Sequence, residues 1–135
     1  MSWPATNAEL EAMGQEIVAN GAGAFTGYDV AYGDLTVTAQ LPHIVEALSF
    51  LRDAQGFQQL VDLAGADYPE RERRFDVVYH LLSMTRNRRV RIKVQTDEDT
   101  PVPSIVAGYP GAVWYEREAF DMYGIFLEGH PDLRR

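Results

Sequence analysis

Apolar positions along the chain alternate between a spacing near three and a half residues and a spacing of two. In "TNAELEAMGQEIVA" (6–19), Leu10, Met13, Ile17 and Val18 share one face, which predicts an amphipathic helix. Thr6 and Glu9 have the spacing of a capping box, and Asn20-Gly21 supplies a stop. Residues 24–41 alternate on either side of Gly33-Asp34, the pattern of a hairpin. A second helix is expected over 42–56, with Pro42 in its first turn, Ile44, Val45, Leu48 and Leu51 on its apolar face, and Gly56 as its end. "FQQLVDLAGADY" (57–68) reads as a strand. "RRFDVVYHLLSM" (73–84) carries apolar residues on both faces and is expected to be a central strand. "RNR" turns the chain into 89–96, where Val90, Ile92 and Val94 alternate with Arg91, Lys93 and Gln95, giving one buried and one basic, exposed face.

The two prolines and three acids of "DEDTPVPS" predict a loop rather than a strand, with Ser104 capping a short helical turn. Pro110 opens a last helix over about 111–123, and Gly124 ends it. The order α-β-β-α-β-β-β-α predicts an α+β fold. It is a two-layer sandwich in which a mixed sheet of about five strands carries helices on one face, as a single domain over 1–135.

Composition narrows the function classes. Apolar residues at 46% and charged residues at 24% suit a soluble globular protein. No apolar run approaches the ~18 residues of a spanning helix, so direct membrane insertion is not expected. The first residues lack the basic-then-apolar pattern of a secretory signal. Without cysteine the chain makes no disulfide, holds no iron–sulfur cluster by thiolates and has no thiol nucleophile, as suits a reducing cytoplasm. The net charge of −8 is unevenly spread. Residues 1–70 carry ten acids and one base, residues 71–93 two acids and eight bases, and residues 94–135 eight acids and three bases. The basic segment suggests phosphate binding, but the acidic surroundings and the lack of an aromatic platform argue against nucleic acid. An acidic protein partner or a solvated hairpin accounts for it better, and the preponderance of arginine suits bidentate contacts to carboxylates.

Catalytic groups are scarce. His43, His80 and His130 have no paired metal-ligand spacing, and His80 is expected to be a core histidine. "NGAGAFTG" reads as a helix stop rather than a dinucleotide fingerprint, and "DEDT" as a solvated turn. No phosphate-cradling loop or nucleophile elbow is evident. On a helix at ~100° per residue, Arg117, Glu118 and Asp121 fall on one side with Trp114, and Val113, Met122 and Tyr123 fall on the apolar remainder. Glu116 falls inside the apolar arc, where a carboxylate needs a partner. An arginine from 71–91, or Arg134 or Arg135, is the expected one. Glu116 and Glu118 point ~200° apart and so cannot flank one bond as a hydrolase pair. An exposed Trp beside Arg has the composition of a partner anchor.

"EREAFDMYGIFLEGHPDLRR" (116–135) resembles the signature of the C subunit of proton-translocating NADH:quinone oxidoreductase, respiratory complex I. Glu116, Arg117, Glu118, Asp121, Met122, Tyr123, His130 and Arg134 fit its pattern, and "PSIVAGYPGAVWYERE" is similar to its lead-in. The resemblance implies a peripheral-arm subunit on the cytoplasmic side of the inner membrane. It binds no cofactor, and FMN, iron–sulfur clusters and quinone are held by partner subunits. Its main partner is the quinone-site or D subunit. The family's extended C-terminal tail is expected to be absent from this chain. From the helix geometry, the subunit interface is expected at Trp114, Arg117, Glu118, Asp121, His130, Pro131 and Arg134. Glu116 acts as a structural charge, and His130-Pro131 turns the chain toward the partner. An equivalent subunit of a membrane-bound hydrogenase or another complex I-like quinone reductase is the alternative within the superfamily. A free-standing protein-binding module is the alternative outside it.

Overall fold

The computed structural model describes residues 5–131. Three helices, α1 (Asn7–Asn20), α2 (Ile44–Asp53) and α3 (Ala112–Tyr123), cover one face of a five-stranded sheet. The strands are β1 (Phe25–Ala31), β2 (Asp34–Ala39), β3 (Gln59–Asp67), β4 (Phe75–Ser83) and β5 (Arg88–Thr96), in the spatial order β1-β2-β5-β4-β3. All neighbours are antiparallel except β2 and β5, so the sheet is mixed, as expected. Leu35 and Val37 of β2, Val77, Tyr79 and Leu81 of β4, and Val90, Ile92 and Val94 of β5 point toward the helices and are buried. Their alternates, Thr36, Thr38, Val78, His80, Arg91 and Lys93, form an uncovered face. His80 is therefore half-buried on that open face and not in the core. Burial and nearby Arg91 hold its pKa below the usual imidazole value.

Local signals explain most boundaries. Thr6 Oγ1 accepts from Glu9 N–H at 3.1 Å, and Glu9 returns the bond to Thr6 N–H, completing the capping box. The hairpin turns one residue earlier than expected. Ala31 pairs with Asp34, leaving Tyr32 and Gly33 as a two-residue loop with φ of 54° and 78°. Two positive φ values match the right-handed twist of the flanking strands. The proline loop hides one strand of two residues, which pairs with another of two residues beyond α3. Val102–Pro103 (β6) pairs in parallel with Leu127–Glu128 (β7). Val102 and Ser104 donate to the carbonyls of Phe126 and Glu128 at 2.9 and 2.8 Å, so Pro103, which has no N–H, occupies the position that needs none.

Four of the eight bases of the basic segment are engaged within the molecule. Arg88 is buried and donates to the capping-box carboxylate of Glu9 at 2.7 Å, tying the start of α1 to the β4–β5 turn. Arg86 donates to Gln55 at 2.7 Å, Arg71 to Asp76 at 2.5 Å, and Arg74 to Asp67 at 2.7 Å and to Glu98. These arginines brace elements together and do not form the exposed basic hairpin that composition suggested.

Tyr79 has no exposed surface, and its hydroxyl finds no hydrogen-bond partner among the described residues. Burial, with nearby Glu116 adding to it, drives its pKa far up, so the group stays neutral. A buried hydroxyl without a partner is a net liability. Tyr79→Phe is expected to stabilise the chain by about 1 kcal/mol, read as a higher urea midpoint at unchanged slope.

Candidate functional site

Helix α3 lies along β3 and is fixed at both ends. Near its start Tyr115 donates its hydroxyl to the Val61 carbonyl at 3.1 Å. Near its end the Tyr123 ring lies on Gly65, where a Cβ would come within 2.7 Å of the ring. That ring also meets Phe75 at a centroid distance of 6.1 Å. Gly124, at φ 73°, ends the helix and donates to the Phe120 carbonyl at 2.8 Å.

Glu116 points inward and is fully buried, as its place in the apolar arc predicted. Among the described residues its hydrogen-bond partners are not arginines, and the expected alternatives Arg134 and Arg135 lie outside the described residues. One carboxylate oxygen accepts the Ser104 hydroxyl at 2.6 Å, and the other accepts the Ile105 N–H at 2.9 Å. Ser104 Oγ in turn accepts from Val106 N–H at 3.3 Å, which is the turn cap the sequence suggested. Arg71, Arg74 and Arg88 are spent on other carboxylates, whereas Ser104 lies directly across from α3 at the end of β6. Burial pushes the Glu116 pKa up, while the two hydrogen bonds and nearby His130 pull against it.

The outward side of α3 holds most of the expected interface residues together. Trp114 is 76% exposed and Met122 65% exposed, so Met122 belongs to this side and not to the apolar arc. Arg117 and Asp121 pair at 3.9 Å across one turn, and Glu118 is exposed beside them. Phe126, in T-shaped contact with Phe120 at 6.5 Å, extends the surface past the helix end. His130 is half-buried and turned back onto the helix, its Nε2 lying 2.9 Å from the Val113 carbonyl. A carbonyl only accepts, so Nε2 carries the proton. Pro131 is exposed. Arg134 and Arg135 lie outside the described residues. Beside the helix end, a cleft of about 640 Å³ is lined by Phe75, Phe120 and Tyr123, with Arg74 between Asp67 and Glu98 at its rim. Among the described residues no group of three or more histidine or acidic side chains gathers as a metal site, and no helix is long and apolar enough to cross a membrane.

A firmly seated helix thus turns Trp114, Met122 and a paired Arg117 and Asp121 to solvent on one side of an α+β sandwich. The chain belongs to the family described as respiratory-chain NADH dehydrogenase, 30 kDa subunit, whose pattern matches residues 37–135. It is 69% identical over 135 residues to the C subunit of the NADH-quinone oxidoreductase of Phenylobacterium zucineum, covering 100% of this chain and 65% of that one. It is 66% identical over 128 residues to the subunit of the same name from a Caulobacter species, covering 93% and 60%. The chain thus spans under two thirds of the length of these relatives. Among solved structures it matches the trypsin-resistant fragment (1–134) of Nqo5 with a TM-score of 0.78 and 32% identity, over 92% of this chain and 98% of that one. A chain of an archaeal membrane-bound sulfane sulfur reductase shares the fold, with a TM-score of 0.78 at 23% identity, over 92% of this chain and 73% of that one.

Two substitutions test the Glu116 clamp. Glu116→Ala leaves the Ile105 N–H unsatisfied and opens a cavity, and is expected to destabilise by about 3 kcal/mol in chemical denaturation. An acid whose folded pKa is raised binds its proton more tightly when folded. The stability it contributes is therefore fully present below its ordinary value of 4.5 and is lost as pH rises through the folded value. The stability of the native chain relative to Glu116→Gln should fall with pH above 4.5 and then level off. A difference independent of pH would contradict the raised value.

Proposed function

We propose that this chain is a non-catalytic peripheral-arm subunit of a proton-translocating NADH:quinone oxidoreductase, respiratory complex I. It packs against the quinone-site or D subunit with the outward side of α3 and supports electron transfer from NADH to quinone. In this reading the assembly sits at the inner membrane with this domain on the cytoplasmic side, and FMN, iron–sulfur clusters and quinone are bound by partner subunits. The observation that carries the reading is the placement of the family-matching residues. Arg117, Glu118 and Asp121 stand with Trp114 on one exposed side, while Glu116 is spent on holding that side in place. An exposed Trp flanked by Arg is the composition of an interface hot spot. Family membership and the named relatives support this choice of assembly.

The double substitution Trp114→Ala, Arg117→Ala separates docking from folding. Both side chains leave the fold's own core untouched, so the stability of the isolated chain should move by no more than about 0.5 kcal/mol. Retention of the tagged chain in a membrane complex purified in mild detergent should drop at least about tenfold, with NADH:quinone activity falling in step. Full assembly of the double variant would remove α3 as the docking side. Copurification with hydrogen-uptake activity and no NADH oxidation would move the chain to the hydrogenase branch.

A further inference from the structure

The cleft beside the end of α3 carries a charge that the groups lining it leave unmatched. Its rim holds Arg74 between Asp67 and Glu98, two acids to one base. Asp67 takes Arg74 at two points, accepting from Nε at 2.9 Å and from Nη2 at 2.7 Å, and the charges of that pair cancel. Glu98 meets Arg74 through one oxygen only, and its side chain is 62% exposed. The surplus negative charge of the rim therefore sits on Glu98. Arg73, the neighbouring base, lies near Asp97 and lines a different depression with Gln95.

The walls have a matching character. Gly65 lets the Tyr123 ring lie against β3, where it lines the cleft, and exposed Met122 stands beside it. The Tyr123 side chain is half-buried, and its hydroxyl makes no hydrogen bond with a described residue. Arg74 already shows how such rings accept a guanidinium, its Cζ lying 5.1 Å from the centre of the Phe75 ring. The cleft thus offers a surplus carboxylate, a phenolic oxygen and aromatic surface around one space. A carboxylate entering it would be repelled by Glu98. A purely apolar side chain would cut Glu98 and the Tyr123 hydroxyl off from water without replacing their hydrogen bonds. Lysine would bring the charge but no plane. Arginine brings charge, a fork that reaches two acceptors at once, and a flat face that stacks on a ring.

We propose that the cleft receives an arginine side chain of the neighbouring subunit that docks on α3. Its guanidinium is shared between Glu98 and the Tyr123 hydroxyl, and its stem lies along Tyr123 and Met122. Met122 follows Asp121 in the last turn of α3, so the cleft continues the outward side of the helix around its C-terminal end. The inference deepens the reading of α3 as the docking side and rests on it.

Glu98→Gln tests it, because glutamine keeps an acceptor for Arg74 and removes only the charge. The melting temperature of the isolated chain should move by no more than about 3 °C, as for other exposed ion pairs. The same variant, replacing the cell's own copy, should leave the purified complex at least about tenfold faster on dilution. Undiminished retention would overturn the proposal. A larger shift in melting temperature would assign the carboxylate to the fold and overturn it too. In a parallel experiment a diazirine-bearing residue replaces Met122 in the native complex, and the adducts formed under light are mapped by mass spectrometry. An adduct to an arginine-containing segment of another subunit supports the proposal. An adduct to a segment without arginine, to lipid or to a second copy of this chain, or no adduct at all, contradicts it. Alanine at the mapped arginine should cost no further retention once Glu98→Gln is present, and additive losses would break the pairing. Failure of the unsubstituted chain to copurify with any complex would remove the functional reading, and this inference with it. Retention of Glu98→Gln beside loss of the Trp114, Arg117 double variant would remove the cleft contact alone.

Discussion

A carboxylate buried in an apolar layer needs donors, and at Glu116 that need organises the C-terminal third of the domain. The Ser104 hydroxyl and the Ile105 N–H meet the two oxygens from a segment 11 and 12 residues earlier in the chain. That segment continues β6, which pairs with β7, and the chain leaving β7 sends His130 back to the Val113 carbonyl at the start of α3. One acid therefore closes a ring of contacts running helix, turn, short sheet and helix again. Each link is a directed polar contact, set in a region that also buries Val102, Ile105, Tyr109, Ile125 and Leu127. The helix is held by bonds with direction, so its rotation about its own axis is fixed as well as its position. The rotation determines that Trp114, Arg117, Glu118 and Asp121 all face out together.

The positive charge of the middle of the chain illustrates a second constraint. Eight bases in 71–93 look like a surface feature when counted along the sequence. In three dimensions the segment is the β4–β5 hairpin with its entry loop, and it runs through the interior of the sheet. Arginine suits such a place because its planar fork satisfies two acceptors at once while its stem packs. Glu9 shows the economy of the arrangement. One of its oxygens caps α1 and the other meets buried Arg88, so a local helix signal and a long-range brace share one side chain. The bonds to Thr6, with Arg88 adding to them, hold its pKa below the usual carboxylate range.

How legible the fold was depends on the range of the forces involved. The capping box at Thr6 and Glu9, the alternation in β5 and the Gly124 stop are decided by neighbours within four residues, and the sequence displays them directly. The shifted turn at Tyr32-Gly33 was hidden because turn chemistry favours Gly-Asp over Tyr-Gly, whereas strand register chose otherwise. The β6–β7 pair was hidden because two prolines suppress a strand reading, although parallel pairing needs donors only at alternate positions. For the site, the inward aim of Glu116 followed from helical spacing alone. Its partners did not, because charge matching drew attention to arginines and away from a hydroxyl and a backbone N–H. Exposed Met122 shows the same limit, since periodicity gives a face but not what covers it.

The proposed docking through a helix held this way has a thermodynamic consequence. Association loses affinity to the ordering of whatever is mobile at the interface, so a surface already fixed before contact binds more tightly for the same contacts. Tyr123 against Gly65, Tyr115 to Val61 and the Glu116 clamp all act before any partner arrives. The clamp costs burial of an acid whose pKa is pushed up, a liability that a well-packed apolar residue would not carry. An apolar residue at 116 would leave the Ile105 N–H unanswered and the β6 segment free to slide along the helix. Stability alone does not recommend the acid. Its defensible role is register: it selects one rotation of α3, and therefore one arrangement of Trp114, Arg117 and Asp121, from the several that apolar packing would tolerate.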